Sequence, residues 1–345
     1  MSHIAVGPPA VRIRDVAAAA GVHPSTVSRA LNAATRRMIT PATIMRIEQA
    51  VNTLGYVPNQ AAVTLRTRSS RTVGLLASGL GGPLLRGAET VLRSAGYMMI
   101  AVAAPTADST EAAVSGLLGR QTDGIIVATS WPEGNRPTSL IGRVPAVSTF
   151  GPAPYSVAPD LRAAAYLAAA HLAELGHETV ACVSAPGAPL DGELLAAAAR
   201  TAGLTVPEEL VAIADGLTVN GGERVCGRLL SSGIPFTAIL TGSDILAAGC
   251  CTALKAVGRP CPAAVSVTGV GDLPLSAILP VPLTTIRLPW FEVGVKAAQL
   301  LLARLRHPSE PEREIRLPAA LIPRSSTGPV CVPYPRTAAD ALSVP

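Results

Sequence analysis

Val11-Arg-Ile-Arg-Asp-Val-Ala-Ala-Ala-Ala-Gly-Val-His-Pro-Ser-Thr-Val-Ser-Arg-Ala-Leu-Asn32 begins a block that closes with Gly55-Tyr-Val-Pro-Asn-Gln-Ala-Ala-Val-Thr-Leu-Arg-Thr67. Within it, Val16, Ala17 and Ala20 fall on one face at helical spacing, predicting a helix over Ile13 to Ala20. Gly21 stops that helix, because glycine enters a left-handed turn at no steric cost. His23 or Ser25 can start a second helix, with Pro24 tolerated in its first turn, running to about Leu31. Thr40-Pro41-Ala42-Thr43 reads as a cap and a proline at the first helical position, so a third helix reaches about Leu54 before Gly55. Pro58 to Arg66 reads as a short, weaker helix, and Ser69-Ser70 as linker.

Two helices joined by a tight glycine turn and followed by a third make a helix-turn-helix unit. The N-terminal residues of its second helix, Pro24, Ser25 and Thr26, are expected at base edges in a major groove. Arg29, one turn on, has the fork to pair with guanine O6 and N7, or else a phosphate. Ser28, Thr26 and Asn32 suit phosphates, which position the head without specifying sequence. Charge agrees with a polyanionic partner for this end alone. Residues 1–71 hold nine arginines against Asp15 and Glu48, a net +7, whereas the remainder holds 19 basic and 21 acidic residues, a net −2.

Beyond Thr72 the 345-residue chain alternates strands and helices. Strands are predicted at Val73 to Leu76, Tyr97 to Ala103, Gly124 to Thr129, Pro145 to Thr149, Val180 to Val183, Ala238 to Leu240, Ala264 to Thr268 and Thr284 to Ile286. Helices are predicted at Leu84 to Ala95, Ser109 to Arg120 and Leu161 to Leu175, with others between the later strands. Repeated strand–helix units predict α/β architecture with parallel sheets, and the length accommodates two. The residues after about Pro329 are rich in proline and alanine and read as a loose tail. The expected organisation is a head over residues 11–57, a hinge helix and linker over 58–70, a body over 71–329 and the tail over 330–345.

Cys182, Cys226, Cys250, Cys251, Cys261 and Cys331 lack Cys-x-x-Cys spacing and read as small, reduced, buried hydrophobes. His3, His23, His171, His177 and His307 show no metal spacing. Gly79-Leu80-Gly81-Gly82 is a glycine-rich loop without the Lys-Ser/Thr of a phosphate-binding loop. No enzyme, cofactor or metal is therefore expected. Met1 to Ala10 has no apolar core of a signal peptide and no stretch is long enough to span a bilayer. A cytoplasmic protein is expected, and a secreted solute-binding protein disfavoured.

The motifs Ile13-Arg14-Asp15-Val16-Ala17, Gly21-Val22, Thr26-Val27-Ser28-Arg29, Leu31-Asn32 and Gly55-Tyr56-x-Pro58-Asn59 resemble the LacI/GalR family of bacterial transcription regulators. The resemblance extends from about Ile13 to Pro323, through His171-Leu172-x-x-Leu175-Gly176-His177, Ser243-Asp244, Val267-x-Gly269-Val270-Gly271-Asp272 and Pro282 to Arg287. It implies a helix-turn-helix head and a two-lobed body like periplasmic sugar-binding proteins. It also implies a homodimer, or a higher oligomer, on pseudo-palindromic operator DNA, most often as a repressor under control of a small effector. By the same resemblance Asn59 to Thr67 forms a hinge helix whose Leu65 wedges into the minor groove, while Ala61 and Ala62 let paired hinges approach. Tyr56, Asn59, Ala62 and Arg66 join this expected DNA interface. Pro24 departs from the polar or aromatic residue common there and offers only apolar contact.

The effector positions depart further. The family's ligand-binding arginine aligns with Asp191 and its stacking aromatic with Leu217, while Ser243 replaces an asparagine and Gly271 an aspartate. The loop Ala77 to Pro83 lacks the usual Asn-Pro-Phe-Phe. Asp160, placed in the first lobe-crossing strand, still matches a cleft carboxylate. An ordinary hexose is disfavoured, and Asp160 with Asp191 and Ser243 favours a cationic or amine-bearing effector, since an unpaired buried carboxylate is costly. Asp272 is also assigned to the site, with a purely structural role for it and Asp244 as the competing reading. Trp131 or Trp290 can replace the lost aromatic. A degenerate pocket, with a ligand-independent or protein-partner-controlled regulator, remains the alternative.

Overall fold

The computed structural model describes residues 11–32, 35–58, 64, 69–77, 82–104, 107–129, 144–150, 153–309 and 311–330. Asn59, Ala62, Leu65, Arg66, Trp131, Cys331, most of the Ala77 to Pro83 loop and nearly all of the tail lie outside these residues. The chain divides into two compact units, Met1–Thr72 with Gln121–Asp123, and Val73–Arg120 with Gly124–Pro345.

The first unit contains α1 (Ile13–Ala20), α2 (Pro24–Leu31) and α3 (Pro41–Leu54). Their shared core is Val16, Ala17, Ala20, Val27, Ala30, Ile47 and Ala50. Small residues suffice because three short helices must approach closely. The ends are set locally. Asp15 accepts a bond from the Arg12 backbone N–H at 2.7 Å, placing a carboxylate against the positive end of α1. Gly21 closes α1 in the left-handed conformation, φ 62°, and the Val22 N–H reaches the Ala17 carbonyl at 2.9 Å. Gly55 ends α3 in the same conformation.

The second unit holds two six-stranded sheets. The first lobe's strands are β1 (Thr72–Ala77), β2 (Met98–Ala103), β3 (Gly124–Ala128), β4 (Ala146–Ser148), β5 (Tyr155–Pro159) and β11 (Arg313–Leu317), in the order β11-β5-β4-β3-β1-β2. Its helices are α4 (Pro83–Ser94), α5 (Ala107–Gly119) and α10 (Trp290–Arg306). The second lobe's strands are β6 (Val180–Ser184), β7 (Val211–Ile213), β8 (Ala238–Thr241), β9 (Ser266–Val270), β10 (Thr284–Arg287) and β12 (Ala320–Ile322), in the order β12-β10-β9-β8-β6-β7. Its helices are α6 (Leu161–Glu174), α7 (Gly192–Thr201), α8 (Val219–Ser231) and α9 (Asp244–Ala256). β1 and β3 pair in parallel from Val73 opposite Gly124 to Ala77 opposite Ala128. β12 runs antiparallel to β10. β3 and β6 are buried at every position, as strands covered by helices on both faces must be.

The sequence reading misses β7, β11 and β12, and gives β5 no bounds beyond a lobe-crossing strand at Asp160. β7 and β12 have three residues each, and β11 alternates charged and apolar residues at a sheet edge. Asp160 lies not within a strand but immediately after β5, where it caps α6.

In each lobe one helix pair crosses at reciprocal glycines. A side chain on Gly87 of α4 would strike the Phe291 carbonyl oxygen of α10, and one on Gly294 of α10 would strike the Leu84 carbonyl oxygen of α4. In the second lobe Gly222 meets the Leu246 carbonyl, and Gly249 the Val219 carbonyl, across α8 and α9. Backbone cannot yield as a flexible side chain can, so Gly294→Ala is expected to cost about 1–3 kcal/mol. Gly227, also in α8, faces open space, and Gly227→Ala should instead stabilise by roughly 0.5–1 kcal/mol through helix propensity. Thermal melts of the two variants should move in opposite directions; equal shifts would refute the crossing account.

Candidate nucleic-acid interface and effector region

α2 begins at a capped N-terminus. The His23 ring nitrogen Nδ1 accepts from the Ser25 backbone N–H at 3.3 Å and lies 2.8 Å from the Ser25 hydroxyl. Pro24 occupies the first helical position, where its missing N–H removes no helical bond. Val27 and Ala30 are buried while Ser25 and Arg29 are exposed, with Pro24, Thr26 and Ser28 half-buried. One face of α2 is thus held by the core and the other carries a hydroxyl and a guanidinium outward. Thr35 donates its hydroxyl to the Arg29 carbonyl at 2.9 Å, and the Arg36 N–H bonds the Asn32 carbonyl at 2.8 Å, so the turn after α2 folds back on its last residues. Arg36 itself pairs with Glu48 of α3 at 2.6 Å. Tyr56 is half-buried and packs against the head's core.

In the body, three short connections join the lobes: Asp160 alone between β5 and α6, Leu288-Pro289 between β10 and α10, and Pro318-Ala319 between β11 and β12. The first is tied to the strand end that precedes the third, the Asp160 N–H donating to the Leu317 carbonyl of β11 at 2.8 Å. Trp290, at the return crossing, packs against the cores of both lobes and stacks on Phe150 with ring centroids 5.3 Å apart and planes 26° apart. Phe150 follows the carboxyl end of β4, where open α/β sheets present residues to ligands. The sequence reading did not single it out, although the chain has only ten aromatic residues and this one directly follows a strand.

The expected effector residues fall into three groups. Asp160, Asp191 and Ser243 cap helices. Asp160 accepts from the Ala163 N–H at 2.9 Å, Asp191 from the Leu194 N–H at 2.7 Å and Ser243 from the Ile245 N–H at 3.2 Å. Leu217 packs against the core between β6, β8 and α8. Asp272 bonds Arg324 and Arg287, each pair closing at 2.5 Å. Burial by itself would raise the Asp272 pKa, but the hydrogen bonds and charge of Arg324 and Arg287 prevail and hold it below the ordinary carboxylate range. Asp191 is exposed and Asp160 half-buried, and each accepts a capping bond, so neither is an unpaired buried carboxylate.

Asp244 is fully buried and takes three donors: the Leu273 N–H at 2.7 Å, the Ser276 hydroxyl at 2.7 Å and the Thr285 hydroxyl at 2.5 Å. It ties α9 to the loop after β9 and to β10. The five described cysteines form no disulfides. Burial pushes the Cys182 thiol up to about 12, and for Cys250 a bond to Cys226 and then burial push it well above its usual value. These are poor nucleophiles.

A three-helix head with an outward-facing second helix, followed by two parallel sheets joined by three crossings, defines a DNA-binding regulator with a periplasmic-binding-protein-like body. Residues 12–59 match the bacterial regulatory proteins of the lacI family, and residues 169–327 match the periplasmic binding protein-like domain. The chain is 32% identical over 344 residues to the HTH-type transcriptional regulator reg1 of Streptomyces lividans, covering 92% of this chain and 96% of that one. It is 29% identical over 331 residues to the ribose operon repressor of Escherichia coli strain K12, covering 91% and 99%. The crystal structure of the lac repressor dimer bound to operator and the anti-inducer ONPF shares the fold, with a TM-score of 0.81 over 92% of this chain and 99% of that one at 24% identity. The protein belongs to the lacI family of bacterial regulatory proteins. No helix among the described residues is long and apolar enough to cross a membrane.

The family motif His171 to His177 acts as a latch. The His171 Nε2 lies 2.9 Å from the Thr327 hydroxyl, and the His177 ring bridges the Thr237 hydroxyl at 2.8 Å and the Gly328 carbonyl at 3.2 Å. Burial lowers both pKa values below 6.5, with Glu174 partly opposing it at His171 and Gly328 at His177. The unfolded chain therefore binds protons first, so this stability is present above 6.5 and lost as pH falls toward the lowered folded values. The melting temperature should hold level above about pH 6.5 and decline below it, and His177→Gln should flatten that decline; an unchanged profile in the variant would count against the latch.

Proposed function

We propose that the protein is a cytoplasmic transcriptional repressor, without enzymatic activity, that binds a pseudo-palindromic operator as a homodimer under control of a small effector. The observation that carries this reading is the exposed Ser25–Arg29 face of α2 on a capped, core-anchored helix within a head of net charge +7. Arg29 reads a guanine, Pro24, Ser25 and Thr26 approach base edges, Ser28, Thr26 and Asn32 suit phosphates, and Tyr56 belongs to the same interface. Asn59, Ala62, Leu65 and Arg66 serve the minor groove as a hinge. Two heads on one symmetric dimer read two half-sites, as fits the operator-bound lac repressor dimer of the same fold.

The effector meets the carboxyl ends of the strands beside the lobe crossings, with Asp160, Asp191, Leu217, Ser243, Asp272 and Trp131 as its assigned neighbours. Stacking on the Phe150–Trp290 pair supplies the aromatic face that Leu217 does not. Because the chain is similar to the ribose operon repressor, a pentose is among the first effectors to try. The capping of Asp160 and Asp191 favours the second reading, a regulator that responds to no small molecule.

Arg29→Ala should weaken binding to the operator by about 1–3 kcal/mol, roughly five- to 150-fold, and relax selectivity at one base pair. Fluorescence anisotropy on the operator and on point-substituted duplexes measures both, and undiminished selectivity would reduce Arg29 to a phosphate contact. A thermal-shift screen against pentoses, hexoses, sugar phosphates, nucleobases and amines tests the effector. A ligand at 100 times its Kd adds about 2.7 kcal/mol, whereas silence across the panel supports the ligand-independent reading.

A further inference from the structure

Ser69, Ser70 and Arg71 form the last stretch of linker before β1, and all three bond to one carboxylate. Asp123, in the turn before β3, accepts at Oδ1 from the Ser70 N–H at 2.7 Å and the Ser70 hydroxyl at 2.9 Å. At Oδ2 it accepts from the Ser69 hydroxyl at 2.5 Å and the Arg71 N–H at 3.1 Å. Arg71 sits at φ 52°, a left-handed conformation that an L side chain holds only when its surroundings impose it. The Asp123 N–H in turn donates to the Thr72 carbonyl at 2.8 Å, one residue before the first β1–β3 pair, Val73 opposite Gly124.

Forming that sheet requires only the last of these bonds. The other four fall on residues upstream of the strand, where Arg71 is exposed, Ser69 half-buried and Ser70 buried. They add no apolar burial to the core, so they are spent on the path of the linker. A carboxylate suits the position because every group facing it donates. Asparagine would turn an N–H₂ toward N–H and O–H donors.

We infer that Asp123 is a positioning residue for sequence-specific DNA binding, the anchor that holds the last three residues of the linker ahead of β1. This rests on the assignment of the chain as a DNA-binding regulator. A hinge can order on an operator only if its attachment to the body is defined, whereas loose electrostatic association with DNA makes no such demand.

The full-length protein is tested on two duplexes of equal length, one enriched by the wild-type chain from a random-sequence pool and one scrambled. Failure of the wild type to enrich any duplex overturns the DNA-binding assignment and the anchor with it. Asp123→Asn should weaken binding to the enriched duplex by about tenfold or more while leaving the scrambled duplex and the melting temperature unchanged. Ser69→Ala with Ser70→Ala removes two of the four donors and keeps the carboxylate, and should give a smaller loss in the same direction. Unchanged affinity of Asp123→Asn for the enriched duplex, or a parallel loss on both duplexes, overturns the anchor. If Asp123→Asn lowers the melting temperature, the double serine variant decides. A wild-type ratio of the two affinities would then show that Asp123 only holds the sheet.

Discussion

Three connections of one or two residues join the two sheets of the body, and the rest of that body is arranged around them. Links this short leave no slack for the lobes to drift apart. They confine relative motion to rotation about a few backbone torsions, as in hinged two-domain proteins. The bond from the Asp160 N–H to the Leu317 carbonyl ties the first crossing to the strand end that precedes the third. Trp290 packs on both cores at the second. A ligand that prefers one rotation over the other can bias such an element, and only to the extent of its differential affinity.

The chain builds its large body with few aromatic residues, only 3% of the sequence. Alanine, valine and leucine fill the cores, and glycine brings helices to backbone contact where larger side chains would leave them apart. The same device appears in both lobes, at Gly87 with Gly294 and at Gly222 with Gly249. Close helix crossings recover by shape complementarity what bulky rings would otherwise supply by area.

Polar groups at the strand ends are largely committed to the protein itself. Asp244 consumes three donors, Asp272 holds two arginines, and the side chains at positions 160, 191 and 243 each cap a helix. Such commitments rigidify the loops that a ligand would meet, since a buried carboxylate left unsatisfied is costly. Asp191 and Ser243 each have a local task at a helix N-terminus.

The head was legible in the sequence almost residue by residue. Gly21, Pro24, Thr40-Pro41 and Gly55 are local signals whose conformations depend on their own covalent structure, so the bounds of α1, α2 and α3 follow without tertiary information. The buried strands β1, β3, β6 and β8 were equally plain, because a strand covered on both faces must be apolar throughout. β7, β11 and β12 were not, since short or edge strands owe their identity to a partner far away in sequence. For the same reason no pattern revealed that Asp160 caps a helix at a crossing, that Phe150 and Trp290 stack, or that Asp123 gathers Ser69, Ser70 and Arg71. Sequence alone determined the helix-turn-helix head and the α/β body, through local helix chemistry and the period of apolar residues, and the class of protein through the family motifs it resembles. Tertiary structure decided which carboxylates are occupied and by what, because hydrogen-bond satisfaction depends on neighbours that chain order does not disclose.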